Sequence, residues 1–251
     1  MLELEARAEP SRLMSWASPL LAVALMLAGG LVVFAALGKD PVEGFRVFFL
    51  NPVKDLYALS ELLLKATPLM LCAIGLAIGF RANVWNIGAE GQFMLGAVAA
   101  TGVALYFGDS ESALVLPAMV LAGAAGGAAW AAIPALLRTR FNANEILVSL
   151  MLVYVAQLFV SWLVFGPWKD PDGFNFPQTR MFAEAATLPM LIEGTRLHFG
   201  FAIALAALVA GYAFMNRSHA GFRMRVAGEA ADAARYAGFS AARMIWLGLL
   251  L

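Results

Sequence analysis

A chain of 251 residues with 17 basic and 17 acidic side chains has no net charge, and 62% of its residues are hydrophobic. Charged residues make up 14% of the chain, about half the usual share, and they are too few to cover a soluble domain of this length. This composition excludes disordered, collagenous and disulfide-rich proteins, argues against nucleic-acid binding, and indicates an all-α, polytopic transmembrane helical bundle.

Six stretches are long and apolar enough to cross a bilayer as helices, which requires about 20 residues each. A seventh begins near Met244, but the sequence reaches only Leu251, a rise of about 12 Å at 1.5 Å per residue. We therefore expect six full spans plus the start of a seventh, in a chain that is C-terminally truncated. In chain order the full spans are residues 16–37, 59–80, 87–107, 113–137, 145–165 and 199–215.

The first span has some features of a signal peptide, because Arg7 and Arg12 precede its apolar core. Its apolar run is longer than is usual in signal peptides, and no clear A-x-A cleavage site follows it. We therefore expect this stretch to be retained as a membrane span.

The basic residues of the loops indicate the orientation, because cytoplasmic loops of membrane proteins are richer in Lys and Arg. If the N-terminus is inside, basic residues are roughly twice as dense in the inner loops, and all the inner ones are arginines. We therefore expect a multi-pass protein with a cytoplasmic N-terminus. The inner residues are Arg81, Arg138, Arg140, Arg217, Arg223, Arg225, Arg235 and Arg243, and the outer ones are Lys39, Arg46, Lys54, Lys169, Arg180 and Arg196.

Two local patterns predict how the spans begin and how they pack. Asn144 is typical of a helix N-cap, and Glu145 follows it in the first turn, where the helix dipole favours a carboxylate. Gly123, Gly126 and Gly127 lie in an Ala-rich span without lysine. They therefore do not form a phosphate-binding loop and indicate close helix packing through small residues.

The sequence contains no recognisable catalytic or metal-binding motif. It has neither a phosphate-binding loop nor a G-x-S-x-G motif, so we expect that the chain cannot hydrolyse ATP by itself. His198 and His219 have no partner set typical of a metal site, and Ser149 and Ser161 have no adjacent histidine. Cys72 is the single cysteine, which excludes an intrachain disulfide and a cysteine-based metal site.

The loop between the second and third spans, residues 80–92, concentrates polar side chains around two glycines. Glu90 is the most informative, because a carboxylate at bilayer depth costs at least about 2.5–3.5 kcal/mol. It lies either at the water boundary, in a tight cytoplasmic turn, or in a polar cavity, where a broken or re-entrant segment lines a substrate path. The polar side chains are Asn83, Asn86, Glu90 and Gln92.

A polar strip, residues 216–243, follows the sixth span and is expected to face the cytoplasm. Its Ala-rich part between Gly228 and Gly238 predicts a helix of about two turns. Asp232 lies near the start of this helix and Arg235 near its end, which suits the helix dipole. Because so short a helix is marginal in water, we favour a helix docked on a protein partner over a solvated surface helix.

Four segments of the chain carry family motifs. They are residues 80–92 (F-R-A-N-V-W-N-I-G-A-E-G-Q), 144–152 (N-E-I-L-V-S-L-M-L), 173–178 with 195–198 in the long outer loop, and 221–238 in the polar strip. These motifs resemble the permease subunits of bacterial ATP-binding cassette importers, in the group that contains ribose-type and branched-chain amino-acid permeases. The likeness is closest to nucleoside and simple-sugar permeases, for which the first motif is the most specific, and it covers roughly residues 59–251.

The resemblance implies that residues 1–251 form a single transmembrane permease domain, incomplete at its C-terminus, in the bacterial plasma membrane. The chain would be one of two permease subunits, identical or different, that hold an alternating-access pathway. A separate ATPase subunit would bind ATP and Mg²⁺, so that no cofactor is expected in this chain. A lipid-anchored or periplasmic substrate-binding protein would deliver the substrate to the outer loops.

The resemblance also implies roles for particular residues. The family motif places Asn83, Asn86, Glu90 and Gln92 near the substrate path. Residues 216–243 correspond to the cytoplasmic coupling loop, which the ATPase subunit grips. The expected contacts with that subunit are Gly221, Arg223, Gly228, Glu229, Ala233, Ala234, Arg235, Tyr236 and Gly238.

Three functions remain open at this point. The first is import of nucleosides or related simple sugars, with branched-chain amino acids or another sugar as rival substrates. The second is an intramembrane enzyme, which would need an inward-facing catalytic pair that the sequence does not reveal. The third is a scaffold subunit without a pathway, for which Asn86→Ala and Glu90→Ala would leave uptake intact.

Overall fold

The computed structural model describes residues 11–251, and Arg7 lies outside them. Within this range the chain is α-helical, with no β-strand and one isolated antiparallel bridge between Met190 and His198. The α-helices are α1 (Arg12–Ala36), α2 (Pro41–Phe45), α3 (Leu56–Arg81), α4 (Ala89–Phe107), α5 (Val115–Phe141), α6 (Glu145–Phe165), α7 (Gly200–Arg217), α8 (His219–Glu229), α9 (Ala231–Tyr236) and α10 (Ala241–Leu250). A π-helical turn (Arg46–Leu50) and two 3-10 turns (Asn51–Val53 and Glu184–Ala186) complete the regular structure.

Five of these helices, α1, α3, α5, α6 and α7, are long and apolar enough to cross a membrane, which confirms the polytopic helical class. Six full spans were expected. The third expected span corresponds to α4, which has 19 residues but is not among the five, since Glu90 and Gln92 lie in its first turn. The expected start of a seventh span is the short apolar helix α10.

The chain divides into two compact units, one that ends at Leu62 and one over Leu63–Leu251. In the first unit α1 is followed by α2, within a region expected to be a loop. Asp40 caps α2 by accepting hydrogen bonds from two backbone N–H groups, and Pro41 occupies the first position, where it is well tolerated. The rings of Phe34 and Phe45 then pack edge to face at 6.1 Å between centroids.

In the second unit α4 packs closely on α5 through the glycines identified in the sequence. A Cβ atom on Gly96 would lie 2.9 Å from the carbonyl oxygen of Gly123, closer than real Cβ atoms approach. A Cβ atom on Gly126 would lie 2.6 Å from that of Ala99. The small residues therefore allow the two backbones to touch, as the sequence predicts.

The apolar core of the second unit surrounds the connection between α3 and α4. Its members come from that connection and from α3, α5, α7, α8 and α10, which explains why the polar strip is anchored on the bundle. The buried residues are Ile78, Ala82, Val84, Ala135, Met215, Met224, Met244 and Leu249.

The turn between α5 and α6 is held by a cap and an ion pair. The Asn144 side chain accepts hydrogen bonds from the N–H groups of Ile146 (2.9 Å) and Leu147 (3.4 Å), so the expected N-cap is confirmed. Glu145 in the first turn forms an ion pair with Arg138 of α5, and both side chains are mostly buried. The cap and the pair together fix the start of α6 against the end of α5.

The long connection over residues 166–198 is held by backbone hydrogen bonds. The Asp170 N–H donates to the Gln178 carbonyl at 2.9 Å, and the Leu191 N–H donates to the Leu197 carbonyl at 2.7 Å. The side chains of Phe174 and Met181 are more than nine-tenths exposed on this connection. It therefore presents apolar groups on an ordered backbone.

Candidate functional site

The polar segment between α3 and α4 consists of a turn at residues 82–83 and an extended stretch over residues 84–88. Helix α3 ends at Arg81, Asn83 adopts a left-handed conformation (φ 55°), and residues 84–88 have no helical structure. Side chains then alternate between buried and exposed, as they do along a β-strand. The buried positions are Ala82, Val84, Asn86 and Gly88, and the exposed ones are Asn83, Trp85 and Ile87.

The extended segment packs against the last turns of α3 and the first turns of α6. The Val84 N–H donates to the carbonyl of Gly79, inside the last turns of α3. A Cβ atom on Gly88 would lie 2.8 Å from the Cβ of Ser149, which is four residues, or about 6 Å of rise, beyond the start of α6. Helix α4 therefore begins alongside α6 rather than level with its end.

Asn86 and Gln92 belong to one hydrogen-bonded network. The Asn86 amide accepts from the Gly88 N–H at 2.9 Å and donates to the Gln92 side-chain oxygen at 3.0 Å. The Gln92 amide nitrogen donates to the carbonyl of Leu249 in α10 at 2.9 Å. Each amide keeps one N–H and further acceptor capacity, since every primary amide offers two donors and two lone pairs.

These two amides line a cavity of about 350 Å³ between α3, α4, α5 and the end of α10. Gly123 and Gly127 form part of the α5 wall, so the small residues that allow close packing also leave this space open. None of the described residues that line the cavity is charged. A volume of this size lies within the range of small-molecule sites, and the walls are mainly apolar with two polar groups.

Glu90 points away from this cavity and reaches α6. Its carboxylate accepts a hydrogen bond from the Gln157 side chain at 3.3 Å. Gln157 lies more than three turns into an apolar helix, where polar side chains are costly and usually functional. The sequence signal for this residue is the single side-chain amide within a mainly apolar span.

Asn83 occupies a third location. Its side-chain oxygen accepts a hydrogen bond from the Trp85 indole at 3.0 Å. It lines a cavity of about 200 Å³ together with Arg138, Ala234 and Arg235, on the side of the polar strip. The four residues expected near a substrate path therefore lie in three places, and only Asn86 and Gln92 share one.

The polar strip contains two helices. Helix α9 is the short helix expected between Gly228 and Gly238, with Asp232 and Arg235 one turn apart at 4.0 Å. The preceding helix α8 was not expected. Its cap is Ser218, whose hydroxyl accepts from the Gly221 N–H at 3.0 Å, and its inner face carries the fully buried Met224.

The nine residues expected to contact an ATPase subunit divide by exposure. The backbone of Gly221 packs against Phe214, and that of Gly228 against the carbonyl of Arg81, both so closely that a Cβ atom would not fit. Ala234 is only 4% exposed. These three residues hold α8 and α9 on the bundle, whereas the other six are exposed: Arg223, Glu229, Ala233, Arg235, Tyr236 and Gly238.

No metal centre competes with these sites in the described part of the chain. Among residues 11–251, no group of three or more His, Cys, Asp or Glu side chains is arranged to hold a metal ion.

The family model for "Branched-chain amino acid transport system / permease component" matches residues 58–251. The match begins just after the start of α3 and covers the cavity, the extended segment and the polar strip. No solved structure matches the chain.

Several curated relatives match nearly the whole chain. A glucose ABC transporter permease protein of Haloferax volcanii is 40% identical, over 95% of this chain and 65% of the relative. A guanosine ABC transporter permease protein of Bacillus subtilis is 31% identical, over 93% of this chain and 67% of the relative. A nucleoside ABC transporter permease protein of Lactococcus lactis is 27% identical, over 93% and 66%. The chain thus spans about two thirds of the length of these relatives.

Proposed function

Because the chain belongs to the family of branched-chain amino acid transport system permease components, we propose that it is the permease subunit of an ATP-binding cassette importer. Its substrates are nucleosides or simple sugars, and it works in the plasma membrane. One observation carries this proposal: relatives that align over at least 93% of the chain are permease proteins named for glucose, guanosine and nucleosides.

The cavity lined by Asn86 and Gln92 supports the choice of substrate class. Nucleosides and sugars are neutral and rich in hydroxyl groups, which primary amides can both donate to and accept from. A branched-chain amino acid is a zwitterion, and charged partners stabilise its ammonium and carboxylate groups best when it leaves water. Since none of the described residues around this cavity is charged, the cavity suits a neutral polar substrate.

The exposed residues of the polar strip support a separate ATPase subunit. Helix α9 has a single buried side chain, that of Ala234, and Tyr236 at its end is 97% exposed. A helix of six residues gains little stability by itself in water, so a partner surface accounts for its presence. In this proposal the ATPase subunit binds ATP and Mg²⁺, and a second permease subunit completes the transport pathway. A substrate-binding protein delivers the substrate to residues 166–198.

The proposal is tested by uptake into proteoliposomes that contain the complete transporter. Labelled guanosine, adenosine, glucose, ribose and leucine are offered separately, with and without ATP. We expect saturable, ATP-dependent uptake of a nucleoside or a sugar and none of leucine. Uptake of leucine alone, or uptake that does not depend on ATP, would contradict the proposal.

A further inference from the structure

A second groove lies between α3, α7 and α8, away from the amide-lined cavity. It encloses about 240 Å³. Its walls are apolar along both long helices, with Ile74 and Ile78 from α3 and Leu208 from α7. We call it the α3–α7 groove.

One end of the α3–α7 groove is cationic. Arg81 is the last residue of α3, Asn216 lies at the end of α7, and Arg225 reaches in from α8. None of the described residues that line the groove is acidic. The groove therefore has an apolar length and a positively charged mouth, both built from helices that are already packed together.

Within the described part of the chain, the two guanidinium groups at this mouth have no acidic partner. Among residues 11–251, neither Arg81 nor Arg225 forms an ion pair, and the buried Nε atom of Arg225 has no hydrogen-bond partner. The buried Nε donor of Arg225 is unfavourable without an acceptor, whereas Arg81 is exposed at the mouth and can reach a group bound there. An anionic group at this position would satisfy both arginines.

We propose that the α3–α7 groove binds an anionic phospholipid of the leaflet that faces the Arg-rich loops. The phosphate lies between Arg81 and Arg225, because guanidinium groups pair with phosphate through two parallel hydrogen bonds. One acyl chain lies along Ile74, Ile78 and Leu208. Basic pockets between membrane helices on the cytoplasmic side bind such headgroups. A free phosphate ion would contact the two arginines but leave the apolar walls of the groove uncovered.

The position of this lipid connects it with the polar strip. The backbone of Gly228 at the end of α8 packs against the carbonyl of Arg81, the same residue that lines the mouth of the groove. A bound headgroup therefore bridges the end of α3 and the helix that leads into α9. We expect anionic lipid to raise the thermal stability of the transporter for this reason.

The test is native mass spectrometry of the full-length transporter in detergent, supplied with phosphatidylglycerol, cardiolipin or phosphatidylcholine. Two arginines near a headgroup favour anionic over neutral lipid by about tenfold or more. We expect anionic adducts on the wild-type protein at that excess. In the double variant Arg81→Gln/Arg225→Gln, anionic lipid adducts should be no more abundant than phosphatidylcholine adducts.

Two further variants separate a defined site from general charge attraction. Arg243→Gln removes an exposed arginine of α10 that does not line the groove, so the anionic adducts persist. Ala77→Phe fills the apolar part of the groove from an exposed position and keeps both arginines, so the adducts are lost. This second variant also provides a test if the double arginine variant does not fold.

The proposal is overturned if the wild-type protein shows no preference for anionic lipid, or if Arg243→Gln and the double variant lose adducts equally. It is also overturned if Ala77→Phe binds lipid normally, or if inorganic phosphate alone displaces the adduct. The last result would assign the arginines to a free anion.

Discussion

The Asn86 side chain uses both ends of its amide within the second unit. Its oxygen accepts a hydrogen bond from the Gly88 N–H at 2.9 Å, and its nitrogen donates one to the Gln92 side-chain oxygen at 3.0 Å. The sequence predicts that both amides lie in a polar segment. It does not predict that Asn86 and Gln92 are in contact. The two residues are six positions apart, one in an extended segment and one in a helix, so neither helical nor strand periodicity relates them. It also does not predict that Asn83 and Glu90 point elsewhere.

Asn86→Ala is therefore expected to lower substrate uptake by the complete transporter about tenfold or more, because removing one hydrogen-bonding partner leaves buried polar groups unsatisfied. The measurement is the concentration dependence of uptake in proteoliposomes. Asn83→Gly is the matched comparison: it removes an amide from the same segment, keeps the left-handed backbone, and lies at another cavity. An equal loss with both variants, or none with Asn86→Ala, would contradict a role for the amide network in transport.

At the scale of single elements, capping and helix termini were predictable, whereas pairings between helices were not. Asn144 precedes an apolar run in the sequence, which is a local signal, and it caps α6 as expected. The ion pair of Arg138 with Glu145 depends on how α5 turns back onto α6, and no local pattern reports that. Helix α8 was not expected, because its arginines indicate a solvated segment although residues such as Met224 form a buried inner face.

Removing one member of the Arg138–Glu145 pair should destabilise the bundle. Glu145→Gln leaves a mostly buried guanidinium group without its counter-ion, for which a loss of about 3 kcal/mol in the free energy of unfolding is typical. The double variant Arg138→Met/Glu145→Gln removes the unpaired charge and should recover most of this loss. Thermal unfolding of the detergent-solubilised transporter measures both variants. A double variant no more stable than the single one would show that the charge is not the cause.

The end of α9 should matter for coupling and not for folding. Tyr236→Ala alters a side chain that is 97% exposed, so the unfolding temperature should not change. If α9 contacts the ATPase subunit, substrate-stimulated ATP hydrolysis should fall at least about tenfold, as for an aromatic residue at the centre of an interface. Tyr106→Ala changes another strongly exposed tyrosine, at the end of α4, and should leave hydrolysis intact. Normal hydrolysis with Tyr236→Ala would argue against this contact.

At the scale of the whole molecule, the apolar spans were the most predictable feature. A stretch of about 20 apolar residues has few alternatives to a membrane helix, so length and hydropathy together identify five of the six expected spans. The extended segment was harder to predict, because it depends on partners far away in the sequence. The Ile87 N–H donates a hydrogen bond to the hydroxyl of Ser149, 62 positions later in the chain. The Gln92 amide donates one to the carbonyl of Leu249, 157 positions later. The amide-lined cavity consequently could not be predicted as a space, although two of its polar residues could.

The expected orientation gives a further test. In a Cys72→Ala background, Met181→Cys and Asp232→Cys each place a thiol on a strongly exposed position, in the long outer connection and in α9 respectively. With a cytoplasmic N-terminus, a membrane-impermeant maleimide should label Met181→Cys in intact cells and Asp232→Cys only in inverted vesicles. The reverse pattern would invert the orientation and place α9 on the wrong side for an ATPase subunit.

The hydrogen bond from Gln92 to the Leu249 carbonyl has a mechanical consequence. Along α10, eight residues, or about 12 Å of rise, separate Ala241 from Leu249, and α9 precedes this helix in the chain. Gly238, at φ 75°, lies in the short connection between α9 and α10, where its lack of a side chain permits the left-handed backbone. If α9 moves and carries α10 along its axis, the displacement reaches Gln92, which is hydrogen-bonded to Asn86 in the amide-lined cavity.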